Sequence, residues 1–120
     1  MTDQPIEERG VHNPKVIDLI SRDAETGAVV LTMLEPRPWG SAENQIRQIE
    51  EKFNAYLQYA LGGNLEHDYP QYAGAPMMFR LECAQIPGEQ ETAFLDAVVK
   101  FAAQENIEFL VVVKERALPD

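Results

Sequence analysis

Apolar positions along the chain recur with two periods, and the switches between them divide it into six elements. Val16, Ile17, Leu19 and Ile20 form a run rich in β-branched residues. It predicts a first strand from Val16 to Ser21, entered through Asn13-Pro14, because proline keeps the residue before it out of the helical region. The segment "RDAETGA" follows, and then "VVLTML" predicts a second strand. Asp23 can bond its own downstream backbone and Gly27 can take positive φ, so the two strands read as a hairpin. Pro36 and Pro38 end the second strand, since neither can donate to a ladder. Ser41 is placed to cap a helix whose apolar stripe is Ile46, Ile49, Phe53, Tyr56, Leu57 and Ala60. Gly62-Gly63 supplies its stop.

"NLEHDYPQYAGA" reads as a connecting loop. In "PMMFRLECA" the residues alternate: Met77, Phe79, Leu81 and Cys83 point one way, and Met78, Arg80, Glu82 and Ala84 the other. A second helix follows, with Phe94, Leu95, Val98, Phe101 and Ala102 as its stripe, and "IEFLVVVK" is the last strand. The order ββαβαβ predicts a two-layer α+β domain with a four-stranded mixed sheet in the order 1-2-3-4. Right-handed crossovers stepping the same way put two helices on one face. Residues 1–13 read as a flexible N-terminal arm, 14–114 as the domain and 115–120 as a C-terminal tail.

A length of 120 residues suits one domain, and 45% hydrophobic residues suffice for a core without staples. Cys83 is the single cysteine, so no internal disulfide forms and a reducing cytoplasm is the expected setting. The segment "MTDQPIEERG" has no apolar signal region, and no apolar run approaches the ~20 residues of a membrane helix. A net charge of −10 repels nucleic acid and favours, if anything, a basic protein partner.

Candidate chemistry is sparse. The only tryptophan, Trp39, stands in "EPRPWGSAENQ". It reads as a plug at a fixed corner, or else as an anchor for a ligand in a group with Asn54, Tyr56 and Tyr72. "EHDY", Glu66 to Tyr69, concentrates polar groups but lacks metal-ligand spacing, so no metal or cofactor is assigned. Cys83 falls on an apolar strand face and reads as an inert thiol. Asp18, between Ile17 and Leu19, is expected on the helix-free face of the sheet, near Arg80. No phosphate loop, nucleophile elbow or Cys-x-x-Cys is present, and no catalytic residue is assigned. The helix-free face should gather Val30, Leu34, Met78, Leu110 and Val112, an apolar patch of the kind that pairs two copies of a chain.

The segments "VHNPKVIDLISRDAETGAVVLTMLE", "WG", "EKFNAYLQYALGG" and "FRLEC" together resemble a family of small bacterial proteins of unknown function. The resemblance spans Val11 to about Val113. It rests on Asn13, Pro14, Val16, Ile17, Asp18, Leu19, Ile20, Gly27, Trp39, Gly40, Asn54, Tyr56 and Leu57. It implies one bacterial domain and brings no activity. The leading expectation is a cytoplasmic interaction domain that self-associates as a dimer, more in keeping with a binding role than an enzyme. Two alternatives stand beside it: an acidic inhibitor or immunity-type protein that binds a basic partner, and a small-molecule binder or enzyme at the Trp39/Tyr72 corner.

Overall fold

The computed structural model describes residues 9–114. The elements are β1 (Leu19–Arg22), β2 (Val29–Glu35), α1 (Gln45–Leu61), α2 (Asn64–Asp68), a 3-10 turn at Pro70–Tyr72, β3 (Met77–Cys83), α3 (Glu89–Gln104) and β4 (Ile107–Val113). The sheet order is β1-β2-β3-β4, with β1 antiparallel to β2 and both β2–β3 and β3–β4 parallel. The α+β class, the mixed four-stranded sheet and the strand order are those the periodicities predict. The hairpin closes through Gly27 N–H donating to Asp23 O at 2.8 Å, with Gly27 at φ 77°.

Register divides the sheet into two faces. Val29, Leu31, Met33 and Glu35 lie beside Met77, Phe79, Leu81 and Cys83, which lie beside Ile107, Phe109, Val111 and Val113. Its apolar residues from Val29, Leu31 and Met33 through Phe79 and Leu81 to Ile107 and Phe109 pack with Ile49, Phe53 and Tyr56 of α1 and Leu95, Val98 and Ala102 of α3 in one core. The two long helices therefore share one face. Phe53 sits at the junction, its ring edge-on to Phe79, Phe101 and Phe109 at 5.8, 6.0 and 5.7 Å.

Four local expectations are corrected. The first strand begins at Leu19, not Val16, because Asp18 and a loop take over its pairing with β2. Ser41 does not cap α1: the helix starts at Gln45, and its flanking Asn44 makes no side-chain cap. The Gln45 side chain braces the corner instead, accepting from Gly40 N–H at 2.8 Å and donating to Pro38 O at 3.3 Å. The loop after α1 contains α2, which buries Leu65 in the core. Phe101, expected in the buried stripe of α3, is 49% exposed. Within the stretch read as an arm, Val11 is 1% exposed and donates its N–H to Leu34 O at 2.9 Å. The rest of that stretch, residues 1–8, and the tail at 115–120 lie outside the described residues.

Candidate functional site

The densest polar constellation is inside the fold. Lys52 lies on α1 between Ile49 and Tyr56, on the stripe that faces the sheet, and its side chain is fully buried. Its ammonium donates to Asn13 O at 2.6 Å, Val16 O at 2.7 Å and Asp18 Oδ1 at 2.8 Å. Those three bonds use all three of its donors. Asp18 is 1% exposed and is not on the helix-free face near Arg80. The alternation runs the other way, with Ile20 packed on the core and Leu19 facing out. Asp18 Oδ1 also accepts from Gly10 N–H and Oδ2 from Leu34 N–H, each at 2.9 Å. The Leu34 bond substitutes a side chain for the strand that would otherwise pair there.

Tyr56 completes the clasp. Its hydroxyl donates to Thr32 O at 2.7 Å and accepts from Asp18 N–H at 2.9 Å. Lys52 Nζ stands 5.6 Å from its ring centroid. Burial lowers the Lys52 pKa from its ordinary 10.5, against the hydrogen bond and charge of Asp18. Burial also raises the phenol of Tyr56. A group that moves protons for a substrate must be able to reach it. Every strong donor of this cluster is already spent on the chain itself, so the arrangement is suited to fastening residues 10–18 to α1 and β2.

A second polar group closes the carboxyl end of β2. Glu35 is completely buried, and Arg37 grips it with Nε to Oε1 at 2.9 Å and Nη2 to Oε2 at 2.7 Å. The same Nη2 donates to Gln48 Oε1 at 2.8 Å. Neighbouring Trp39 is half-buried, packs against the core and donates its indole N–H to Gln85 O at 2.8 Å. It ties the corner after β2 to the loop after β3, which fits the corner reading.

The proposed ligand group is not brought together. Trp39 follows β2, whereas Tyr72 precedes β3, so they lie at opposite ends of parallel strands. Tyr56 is enclosed in the clasp and Asn54 is exposed on α1. Tyr72 stacks on Tyr69 at 5.4 Å and under Arg22 at 5.6 Å. It also borders a cavity of about 350 Å³ between the end of α1 and the starts of β3 and β4. In "EHDY", His67 Nδ1 and Asp68 Oδ1 are 3.4 Å apart, and the other Asp68 oxygen accepts from Tyr59 at 2.9 Å. Cys83 is buried, its thiol raised by burial, with Sγ 3.5 Å from Val112 O.

Alkaline titration tests these two tyrosines. Tyr59, beside Asp68, is raised to about 12, chiefly by burial, and Tyr56 is raised further. A phenol whose native pKa is raised holds its proton more tightly in the folded chain. Its stabilising contribution is whole below about pH 10 and is lost as pH rises above that value. Tyrosinate absorbance should show a native midpoint near 12 that Tyr59→Phe removes. Tyr56 should ionise only as the fold is lost, and a Tyr56 signal near pH 10 in native protein would contradict its enclosure.

The helix-free face carries Leu19 and Ser21 of β1, Val30, Thr32 and Leu34 of β2, Met78, Arg80 and Glu82 of β3, and Glu108, Leu110 and Val112 of β4. Its centre is shielded: Val30 is 7% and Thr32 4% exposed, so Val30 adds little to a surface patch. Leu19 and Leu110 are each 38% exposed, and Leu34, Met78 and Val112 are partly exposed. Arg80 and Glu82 pair at 2.8 Å along β3, and Lys114 approaches Glu82 at 3.6 Å. Arg80 Nε is buried there without a hydrogen-bond partner.

Lys52 and Glu35 are the buried charges that the sequence reading did not identify. Each had a signal: Lys52 occupies a stripe position between Ile49 and Tyr56, and Glu35 continues the inward row of Leu31 and Met33. Among the described residues no helix is long and apolar enough to cross a membrane, and no three His, Cys, Asp or Glu side chains gather as for a metal ion. Neither a curated protein nor a solved structure matches the chain. The model of a family of unknown function, DUF6572, matches residues 9–115, and the chain belongs to that family.

Proposed function

We propose that this member of a family without an assigned activity is an interaction domain that self-associates through its sheet, by the helix-free face or by the β4 edge that borders it. The observation that carries the reading is the partly exposed apolar row of Leu34, Met78, Leu110 and Val112 on a face that no helix covers among the described residues. Apolar surface of this kind marks contact sites, and two-fold pairing is its commonest use. The enclosed clasp gives no support to a catalytic reading, since its strong donors are committed to the fold. Light scattering on the wild-type chain should give twice the monomer mass, and Val112→Asp should move the population to monomer with its helical content unchanged. A wild-type chain that stays monomeric at high micromolar concentration refutes the proposal. The net charge of −10 favours a second reading, a basic protein partner. That reading predicts a heterocomplex that weakens steeply with salt, whereas a largely apolar homodimer would persist.

A further inference from the structure

Resting on the self-association reading, we infer that the partner is the β4 strand of a second copy, paired antiparallel about a two-fold axis at Leu110. Among the described residues β4 is the sheet edge opposite β1. Lys114 N–H donates inward to Cys83 O at 2.9 Å. Backbone direction alternates along a strand, so Glu108, Leu110 and Val112 also turn their N–H and C=O toward β3. Ile107, Phe109, Val111 and Val113 turn theirs outward. These four residues give the bare edge an alternating series of donors and acceptors, on a strand without a proline or a bulge to interrupt it. Such an edge is a template for another strand unless something covers it.

The same edge borders a largely apolar groove of about 500 Å³, lined by Val99, Ala103, Ile107, Phe109 and Leu110 with Asn106 and Glu108. Val99 on α3 and Val113 at the end of β4 are exposed at 38% and 37%. A groove between a helix and a free strand suits an added strand.

What selects a second copy is self-complementarity. In antiparallel pairs, residues whose backbone groups both point across exchange two hydrogen bonds. With the axis at Leu110, Ile107 meets the partner copy's residue 113, and Phe109 meets its residue 111. Each is an outward-facing pair that is apolar on both sides. Glu108 falls opposite residue 112 of the other copy, which places that copy's residue 114, a lysine, diagonally next to it on the same face. Two such Glu–Lys contacts arise by symmetry. Diagonal neighbours in a sheet lie within reach of long side chains. Sliding the partner by two residues keeps hydrogen-bonded pairing but leaves apolar positions at the strand ends uncovered.

Leu110 would then face its own counterpart in a non-hydrogen-bonded pair, with Cα atoms about 4.5 Å apart, inside the range of a disulfide. The full chain carrying Leu110→Cys should therefore form a covalent dimer under mild oxidation. Val112→Cys alone should not, its two copies lying roughly 13 Å apart along the strands. Mixing Glu108→Cys chains with Val112→Cys chains should restore the link. The wild type, whose Cys83 is buried, is the unlinked control. As a second measurement, Glu108→Lys should raise the dimer Kd roughly tenfold at low salt, since each dimer loses two cross-strand contacts. Mixing those chains with Lys114→Glu chains should recover it. A stable dimer in which Leu110→Cys stays unlinked overturns the β4 pairing and leaves self-association standing. A chain that is monomeric throughout overturns both.

Discussion

Replacing Lys52 with methionine is expected to lower the unfolding free energy by about 3–5 kcal/mol, the range for breaking a buried ion pair from one side. Urea denaturation of the two proteins measures it. The loss arises from what is left behind. The Asp18 carboxylate, 1% exposed, would keep its two backbone donors and lose its counter-charge. Asn13 O and Val16 O would also lose the ammonium that joins them to α1. Since a domain is stable by only about 5–15 kcal/mol, this one substitution threatens folding itself.

A double variant, Asp18→Leu with Lys52→Met, separates charge from hydrogen bonding. Buried ion pairs are often replaced by apolar residues at no cost. That outcome is not expected here, because the removed side chains also serve backbone groups: Gly10 N–H, Leu34 N–H, Asn13 O and Val16 O. Recovery to wild-type stability would show that the clasp matters only as a charge pair. Continued loss would show that it acts as the splice that replaces strand pairing beyond Leu19.

The clasp also explains what the sequence made legible and what it hid. Strand order was readable because the polar alternation of Met78, Arg80 and Glu82 on β3 marks one sheet face as free of helices, and each crossover holds a long amphipathic helix. Asp18 was read to the wrong face for a physical reason. In isolation, a carboxylate among apolar neighbours belongs toward water, and Ile17 and Leu19 take the inside. The opposite phase becomes favourable only when an ammonium 34 residues away is buried beside it. Pattern reading treats positions one at a time, so a pair of charges that are costly separately and compatible together escapes it. Lys52 on a stripe and Asp18 in a strand were the two halves of that signal.

The other misreadings have local causes. Ser41 satisfies the residue preference of an N-cap, but the Gln45 side chain had already braced the corner, so the helix began later. Five residues of α2 are too few to display a helical period, and only the burial of Leu65 reveals them. The candidate ligand group failed because aromatic residue type says nothing about which end of a strand it occupies. Trp39 and Tyr72 sit beyond opposite ends of the parallel strands, while Tyr56 lies within the core.

Phe53→Ala is expected to cost about 3–5 kcal/mol, the range for deleting a large buried aromatic. Phe53 is 4% exposed, and its ring joins α1 to β3, β4 and α3. Removing it takes the edge-to-face partner from three other rings and leaves a cavity that a sheet and two helices can close only by shifting together. Phe53→Leu keeps most of the volume and should cost clearly less, so the difference between the two reports the cavity. Phe101→Ala supplies the contrast on α3. That ring touches Phe53 at 6.0 Å but is 49% exposed, so its burial term is roughly halved and no closed cavity forms. Chemical denaturation of the three variants should rank Phe53→Ala well below Phe53→Leu and Phe101→Ala in stability. Equal losses for the two alanine variants would mean that Phe101 is covered in solution.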